Sequence, residues 1–301
     1  MWLRHIRDTL VRTYDDIQNN HTLAMAAGLS YYFVMSLFPM LIFAAAVVAF
    51  LPIPNLFDQI VNVMARVVPP ESMGLVRSII ADVITPKRGA LLSVGLLGAL
   101  WSMSGGFSAM IEALNVAYDV PETRSFWYTR PLAVGMAMVI GAIFLVALGV
   151  MLVGPEFGAW LARHTSMGAW FAYFWRPLRW VIAIAFTVLG VEIVYFMAPN
   201  VKQDFKHTLP GAVIAVGGWL GMSYLLGIYF QHFANFNRTY GTLGAAIALM
   251  VWLYWSGFAI LVGAEINSEL MQVTGDGKLP LKHPPPRKVY PTEPPKEAEA
   301  A

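Results

Sequence analysis

Residues 243–266, LGAAIALMVWLYWSGFAILVGAEI, carry no charge until Glu265. A helix rises about 1.5 Å per residue, so about 20 residues cross the ~30 Å hydrocarbon layer of a bilayer. Within that layer each backbone N–H and C=O has to be satisfied inside the segment, and a helix does this. Similar apolar runs occupy residues 23–51, 89–111, 131–153, 177–198 and 209–231. Six spans predict an all-α, polytopic membrane protein. Composition agrees. Only 13% of the 301 residues are charged and 57% are hydrophobic. Soluble domains carry about a quarter charged residues, enough to cover a water-facing surface. Ten Trp and twelve Tyr suit the belts found where a span meets headgroups.

Outside the spans the chain changes character. Residues 1–22 place Trp2, Leu3, Ile6, Leu10, Tyr14 and Ile17 at helical spacing, with Arg4, Arg7, Arg12 and acidic residues between them. That pattern predicts an amphipathic helix, either lying among headgroups or docked on the membrane domain, not an uncharged cleavable leader. Within the membrane domain, residues 23–272, the stretch 55–85 predicts two amphipathic helices outside the bilayer, parted at Pro69-Pro70. Residues 273–301 hold seven prolines between Pro280 and Pro295, mixed with Lys and Glu, and predict a disordered tail. Pro131 and Pro177 fit span starts, where a missing N–H costs nothing. Pro39, inside the first span, predicts a kink with Ser36 taking up a freed backbone group. Twelve of the twenty basic residues fall on the cytoplasmic side if both termini lie there, which favours that orientation.

Charged and amide side chains inside spans mark the candidate site. Glu112, Glu192 and Glu265 sit near the same ends of spans two, four and six, which run in one direction. Asn115 and Asn267 accompany two of them. Brought together, these five residues would line a polar cavity open to the cytoplasm, able to hold a proton, a cation or a lipid amine. The alternative is that each carboxylate reaches headgroup water or a nearby Arg or Lys. Glu192 stands furthest from that alternative, among Val191, Ile193, Val194 and Phe196. In span two, Ser104, Gly105 and Gly106 could mark a broken helix at a substrate site, or close helix packing. Gly211, Gly217, Gly218, Gly221 and Gly227 give span five a small-residue face suited to packing. Shifting residues 89–115 by 152 positions onto 241–267 matches Gly, Leu, Leu, Ser, Gly and Asn, a faint internal echo.

Several chemistries are excluded. Without cysteine there is no disulfide, thiolate zinc site or Cys nucleophile. The six histidines form no HxH, HxxxH or HExxH pair, and GxxxxGK[ST], GxGxxG and GxSxG are missing. A net charge of +2, without a basic patch, gives no footprint for nucleic acid. The expectation is a non-enzyme with no metal and no cofactor.

Four stretches together resemble the YihY/BrkB family of bacterial inner-membrane proteins. They are Leu23-Ala-Met-Ala-Ala-Gly-Leu-Ser-Tyr-Tyr-Phe, Leu100-Trp-Ser-Met-Ser-Gly-Gly-Phe, Ile111-Glu-Ala-Leu-Asn115 followed by Ala117-Tyr118 and Arg124-Ser-Phe-Trp127, and Asn237-Arg-Thr-Tyr-Gly-Thr-Leu-Gly244 with Gly263-Ala-Glu-Ile-Asn267. The resemblance implies a bundle of about six helices in the cytoplasmic membrane. Members have been labelled "ribonuclease BN" or "virulence factor"; the histidine pattern here speaks against the nuclease label. The expected function is transport or the handling of a small solute, ion or lipid by a multi-pass protein with cytoplasmic termini. The alternatives are a membrane scaffold for envelope partners and, least, a membrane-bound ribonuclease. The bilayer is its expected partner, with homo-oligomerisation possible.

Overall fold

The computed structural model describes residues 2–49, 61–62, 73–74, 77, 89–164, 168–233 and 242–274. Seven long helices account for nearly all of them: α1 Trp2–Asn19, α2 Thr22–Ala49, α3 Gly89–Ala117, α4 Phe126–His164, α5 Gly168–Met197, α6 Phe205–Phe233 and α7 Thr242–Thr274. Among the described residues there is no strand. Helices α2 to α7 run from 28 to 39 residues, more than a bilayer requires. Four apolar stretches are of membrane-spanning length, Phe126–Met151, Tyr173–Met197, Phe205–Phe230 and Ala246–Gln272, with a shorter one at Thr22–Ser36. This is an all-α, multi-pass membrane protein. Most of the 55–85 stretch, residues 234–241 and the tail from 275 lie outside the described residues.

The helices overrun the apolar segments that predict them. Pro177 is inside α5 and Pro131 lies a turn into α4, not at their starts. The preceding turns hold Phe126, Trp127 and Tyr128, and Tyr173 and Phe174, all exposed. These aromatic rings suit the headgroup level, so the helix continues through the interface. Pro39 leaves α2 helical to Ala49. The Ser36 hydroxyl donates to the Tyr32 and Phe33 carbonyls, at 2.8 and 3.1 Å, and not to the carbonyl that the proline frees. At its other end α7 passes residue 266 because Ser268, Glu269 and Met271 are buried by neighbouring helices.

Each helix from α2 to α7 packs on its neighbours in sequence, and α7 closes back on α2, with a further contact between α3 and α7. The result is a closed ring of six antiparallel neighbours. Reciprocal hydrogen bonds fasten α6 to α7: Trp219 Nε1 donates to Ser256 Oγ and Trp252 Nε1 to Ser223 Oγ, both at 3.1 Å. Helix α1 lies against α7 and the start of α2. It buries Thr9, Thr13 and Asp16 there and leaves Val11 and Tyr14 exposed. Val11 and Tyr14 are thus left on the side of α1 turned away from the bundle.

Packing is uneven along the ring. All six helices contribute to one core, through Ala26 and Leu29, Met110 to Ala117, Ala133 and Met136, Val194 and Tyr195, Ala212 and Ala215, and Leu261 to Met271. These positions lie at the end where α3, α5 and α7 finish and α2, α4 and α6 begin. Further along α6, residues 217–230 include none that is buried. The bundle is tight at one end and looser beyond it.

Candidate functional site

The tight end is also the polar end, and three sets of hydrogen bonds stitch it. The first rests on two glycines. A Cβ at Gly211 would overlap the Gly263 carbonyl oxygen, and one at Gly263 would fall 2.5 Å from the Gly211 oxygen. Only bare backbone fits at this crossing of α6 and α7, as in membrane helix pairs built on small residues. One turn further on, Asn267 Oδ1 accepts from Gly211 N at 2.7 Å while Nδ2 donates to the Thr208 carbonyl at 2.8 Å. Asn267 is wholly buried, and both halves of its amide are engaged.

The second set joins three helix ends. Asn20, in the turn between α1 and α2, donates to Glu265 Oε1 at 2.9 Å and to the Val116 carbonyl at 3.4 Å. The turn holds His21 at φ 50°, a left-handed helix stop that aims Asn20 inward. Glu265 is wholly buried, as are Ser268 and Glu269. Glu265 and Glu269, four residues apart, lie on one face of α7.

The third set ties the α3–α4 turn to the α5–α6 loop. Asn115 donates to Glu122 Oε2 at 2.8 Å, and its own Oδ1 accepts from Asn200 N at 2.7 Å. Arg124 grips Glu122 through Nε at 2.8 Å and through its terminal nitrogen at 2.7 Å, and donates to the Ala198 carbonyl at 2.7 Å. Asn200 Nδ2 donates to Thr123 Oγ1 at 2.8 Å and to the Pro121 carbonyl at 2.9 Å. The hydrogen bonds from Arg124, more than burial, set the Glu122 carboxyl, and they hold it below the usual 4.5. Asn115 and Asn267, partners in the internal echo, do the same job: each side-chain oxygen captures a backbone N–H from the region around the start of α6.

Of the five candidate cavity residues, Asn115, Glu192, Glu265 and Asn267 are buried at this end. Glu112 is exposed although Ile111, Ala113, Leu114 and Asn115 around it are buried, so it points away from them. Glu265, Asn115 and Asn267 each have their own partners and lie in packed structure. Glu192 is only 6% exposed and makes no hydrogen bond or ion pair among the described residues. Ser104, Gly105 and Gly106 run within continuous helix, not a break. Ser104 donates to the Trp101 carbonyl at 2.6 Å, and a Cβ at Gly106 would come 2.9 Å from Ser36 Oγ, which marks the close packing of α2 on α3.

The spans alone did not point to Asn20, Glu122, Arg124, Asn200, Tyr118 or Tyr195. Four of them sit in turns, where polar residues are ordinary. Tyr118 and Tyr195 are wholly buried, the latter donating to the Ile260 carbonyl. Glu269 had a visible signal, its spacing of four from Glu265, but it lay beyond the apolar run. Among the described residues no group of three His, Cys, Asp or Glu is arranged to hold a metal ion.

Residues 13–287 match the family described as "Virulence factor BrkB". The "Putative ribonuclease-like protein YfkH" of Bacillus subtilis is 37% identical over 259 residues, covering 86% of this chain and 92% of that protein. A "UPF0761 membrane protein" of Alkalilimnicola ehrlichii is 26% identical over 278 residues, and another of Tolumonas auensis is 24% identical over 252. The chain spans 59% of the Alkalilimnicola protein's length and 80% of the Tolumonas protein's. No solved structure matches. A ring of apolar helices, a family match across nearly all of it and a relative of closely similar length lead to one assignment: the chain belongs to the BrkB family of membrane proteins.

Proposed function

We propose that this protein is a non-enzymatic transporter of the bacterial cytoplasmic membrane, moving an ion, small solute or lipid, with both termini in the cytoplasm. Glu192 carries the reading. A carboxylate inside a membrane span is costly, and such residues are retained where they bind or relay a charge. Glu265 and Asn115 already have partners for their polar atoms, while Glu192 has none among the described residues. It is the group best placed to exchange a proton or hold a cation. In this reading the packed end faces the cytoplasm and is shut, so passage requires the three sets of hydrogen bonds there to part. This differs from a cavity standing open to the cytoplasm. RNA hydrolysis is the printed suggestion for YfkH. Glu265 is tied to Asn20 of another helix end and Glu122 to Asn115 and Arg124, contacts better suited to gating than to hydrolysis.

The test is flux. Purified protein reconstituted in liposomes should carry protons or monovalent cations down an imposed gradient, read with an entrapped dye. Glu192→Gln should lower that flux about tenfold or more, since it removes the titrating group and keeps the shape. Equal flux in the variant would remove Glu192 from the mechanism.

A further inference from the structure

We infer that the groove between α3 and α4 is a binding site for one anionic phospholipid, with Arg130 holding its phosphate. The groove has a volume of about 350 Å³ and is lined by Trp101, Trp127, Arg130, Val134, Gly135 and Met138, among others. Arg130 is one turn into α4, at the level of the exposed aromatic residues Phe126, Trp127 and Tyr128. Its guanidinium stacks 4.2 Å from the Trp101 ring centroid. One terminal nitrogen donates to Ser108 Oγ at 3.1 Å and the other to the Trp101 carbonyl at 2.8 Å. Nε is buried without a partner. Among the described residues no carboxylate pairs with Arg130; the ion pair found is that of Arg124 with Glu122.

A fixed guanidinium at the edge of the hydrocarbon, with one N–H left on each terminal nitrogen beyond those given to Ser108 and the Trp101 carbonyl, calls for an anion. At that depth the bilayer supplies one, the lipid phosphate. Arg suits it because its planar fork meets two phosphate oxygens at once, and basic pockets between spans are where anionic headgroups lodge. The apolar remainder accounts for the rest of the molecule. Pro131, Val134, Gly135 and Met138 follow one another at helical spacing along α4, giving an acyl chain a track from the headgroup toward the membrane interior. Trp127, 84% exposed, flanks the groove at headgroup level. A zwitterionic lipid would fill the track equally but would bring its ammonium toward Arg130. The site therefore selects net negative charge.

Native mass spectrometry of the full chain in detergent, titrated with phosphatidylglycerol or with phosphatidylcholine of the same acyl chains, tests this. Wild type should retain one phosphatidylglycerol at a several-fold lower concentration than phosphatidylcholine. Arg130→Gln should erase the preference and Arg130→Lys should keep part of it. Gly135→Leu is the second arm: a Cβ there meets nothing within 4 Å, so the fold is kept while the track is filled. It should weaken retention of both lipids. Equal retention of the two lipids by wild type, a preference that survives Arg130→Gln, or undiminished binding in Gly135→Leu would each overturn the assignment.

Discussion

At Gly263 and Gly211 two helix backbones come so close that a single methyl group has nowhere to go. A Cβ at Gly263 would meet not only the Gly211 oxygen but Tyr195 Oη at 2.5 Å and Ala215 Cβ at 2.8 Å. Backbone cannot step aside as a flexible side chain can. Gly263→Ala should therefore destabilise the purified protein by about 1–3 kcal/mol, the usual cost of overpacking. Gly105 supplies the control, since a Cβ there meets nothing within 4 Å. Gly105→Ala gains helix propensity and should be neutral or stabilising by up to about 1 kcal/mol. Thermal unfolding in detergent separates the two, and equal midpoints would deny the close approach. The sequence marks Gly211 as one of several small residues on span five, but not which of them touches another helix. That distinction depends on the partner's contour, which no single-helix pattern records.

Between elements, the Glu122–Arg124 pair fastens the α3–α4 turn to the α5–α6 loop through Asn115 and the Ala198 carbonyl. Because the pair depresses the Glu122 carboxyl, the folded state binds that proton less readily than the unfolded chain. The stabilisation is then complete above the ordinary carboxylate value of 4.5 and fades as pH falls through the lower folded value. The melting temperature of wild type should drop on acidification below that point by more than that of Glu122→Gln, in which position 122 no longer titrates. Parallel pH profiles from scanning fluorimetry would show that the pair adds nothing. The side chains are partly solvated, so the difference should be modest. At this scale, depth was legible and azimuth was not. Apolar runs located the six helices of the ring, and the common level of Glu112, Glu192 and Glu265 follows from counting residues along them. A helix that is apolar all round gives no clue to which side faces its neighbours. So Glu112 is exposed while Asn115, three residues on, is buried. Helix ends were misplaced for a related reason: aromatic and polar turns such as those before Pro131 and Pro177 stay helical once an interface or a neighbouring helix receives them.

For the molecule as a whole, the ring is closed and dense at one end, and that end carries the hydrogen-bonded ties. Transport by such a body requires the dense end to open, and each tie is a contact that opening would break. The absence of cysteine makes the motion measurable, because an introduced thiol is the chain's only one. Ser125→Cys lies in the exposed α3–α4 turn, and Ser268→Cys in the buried layer of α7. With cytoplasmic termini, an impermeant maleimide should label Ser125→Cys in inverted vesicles and not in intact cells; the reverse would invert the topology. In the same vesicles Ser268→Cys should react at least about tenfold more slowly, since the reagent reaches it only through local opening. Arg124→Ala removes the salt bridge and the bond to the Ala198 carbonyl together, so it should speed labelling of Ser268→Cys while leaving Ser125→Cys unchanged. A rate indifferent to Arg124 would mean that this tie does not hold the end shut, and the gate would have to be sought at Asn20 and Glu265 or where α6 crosses α7.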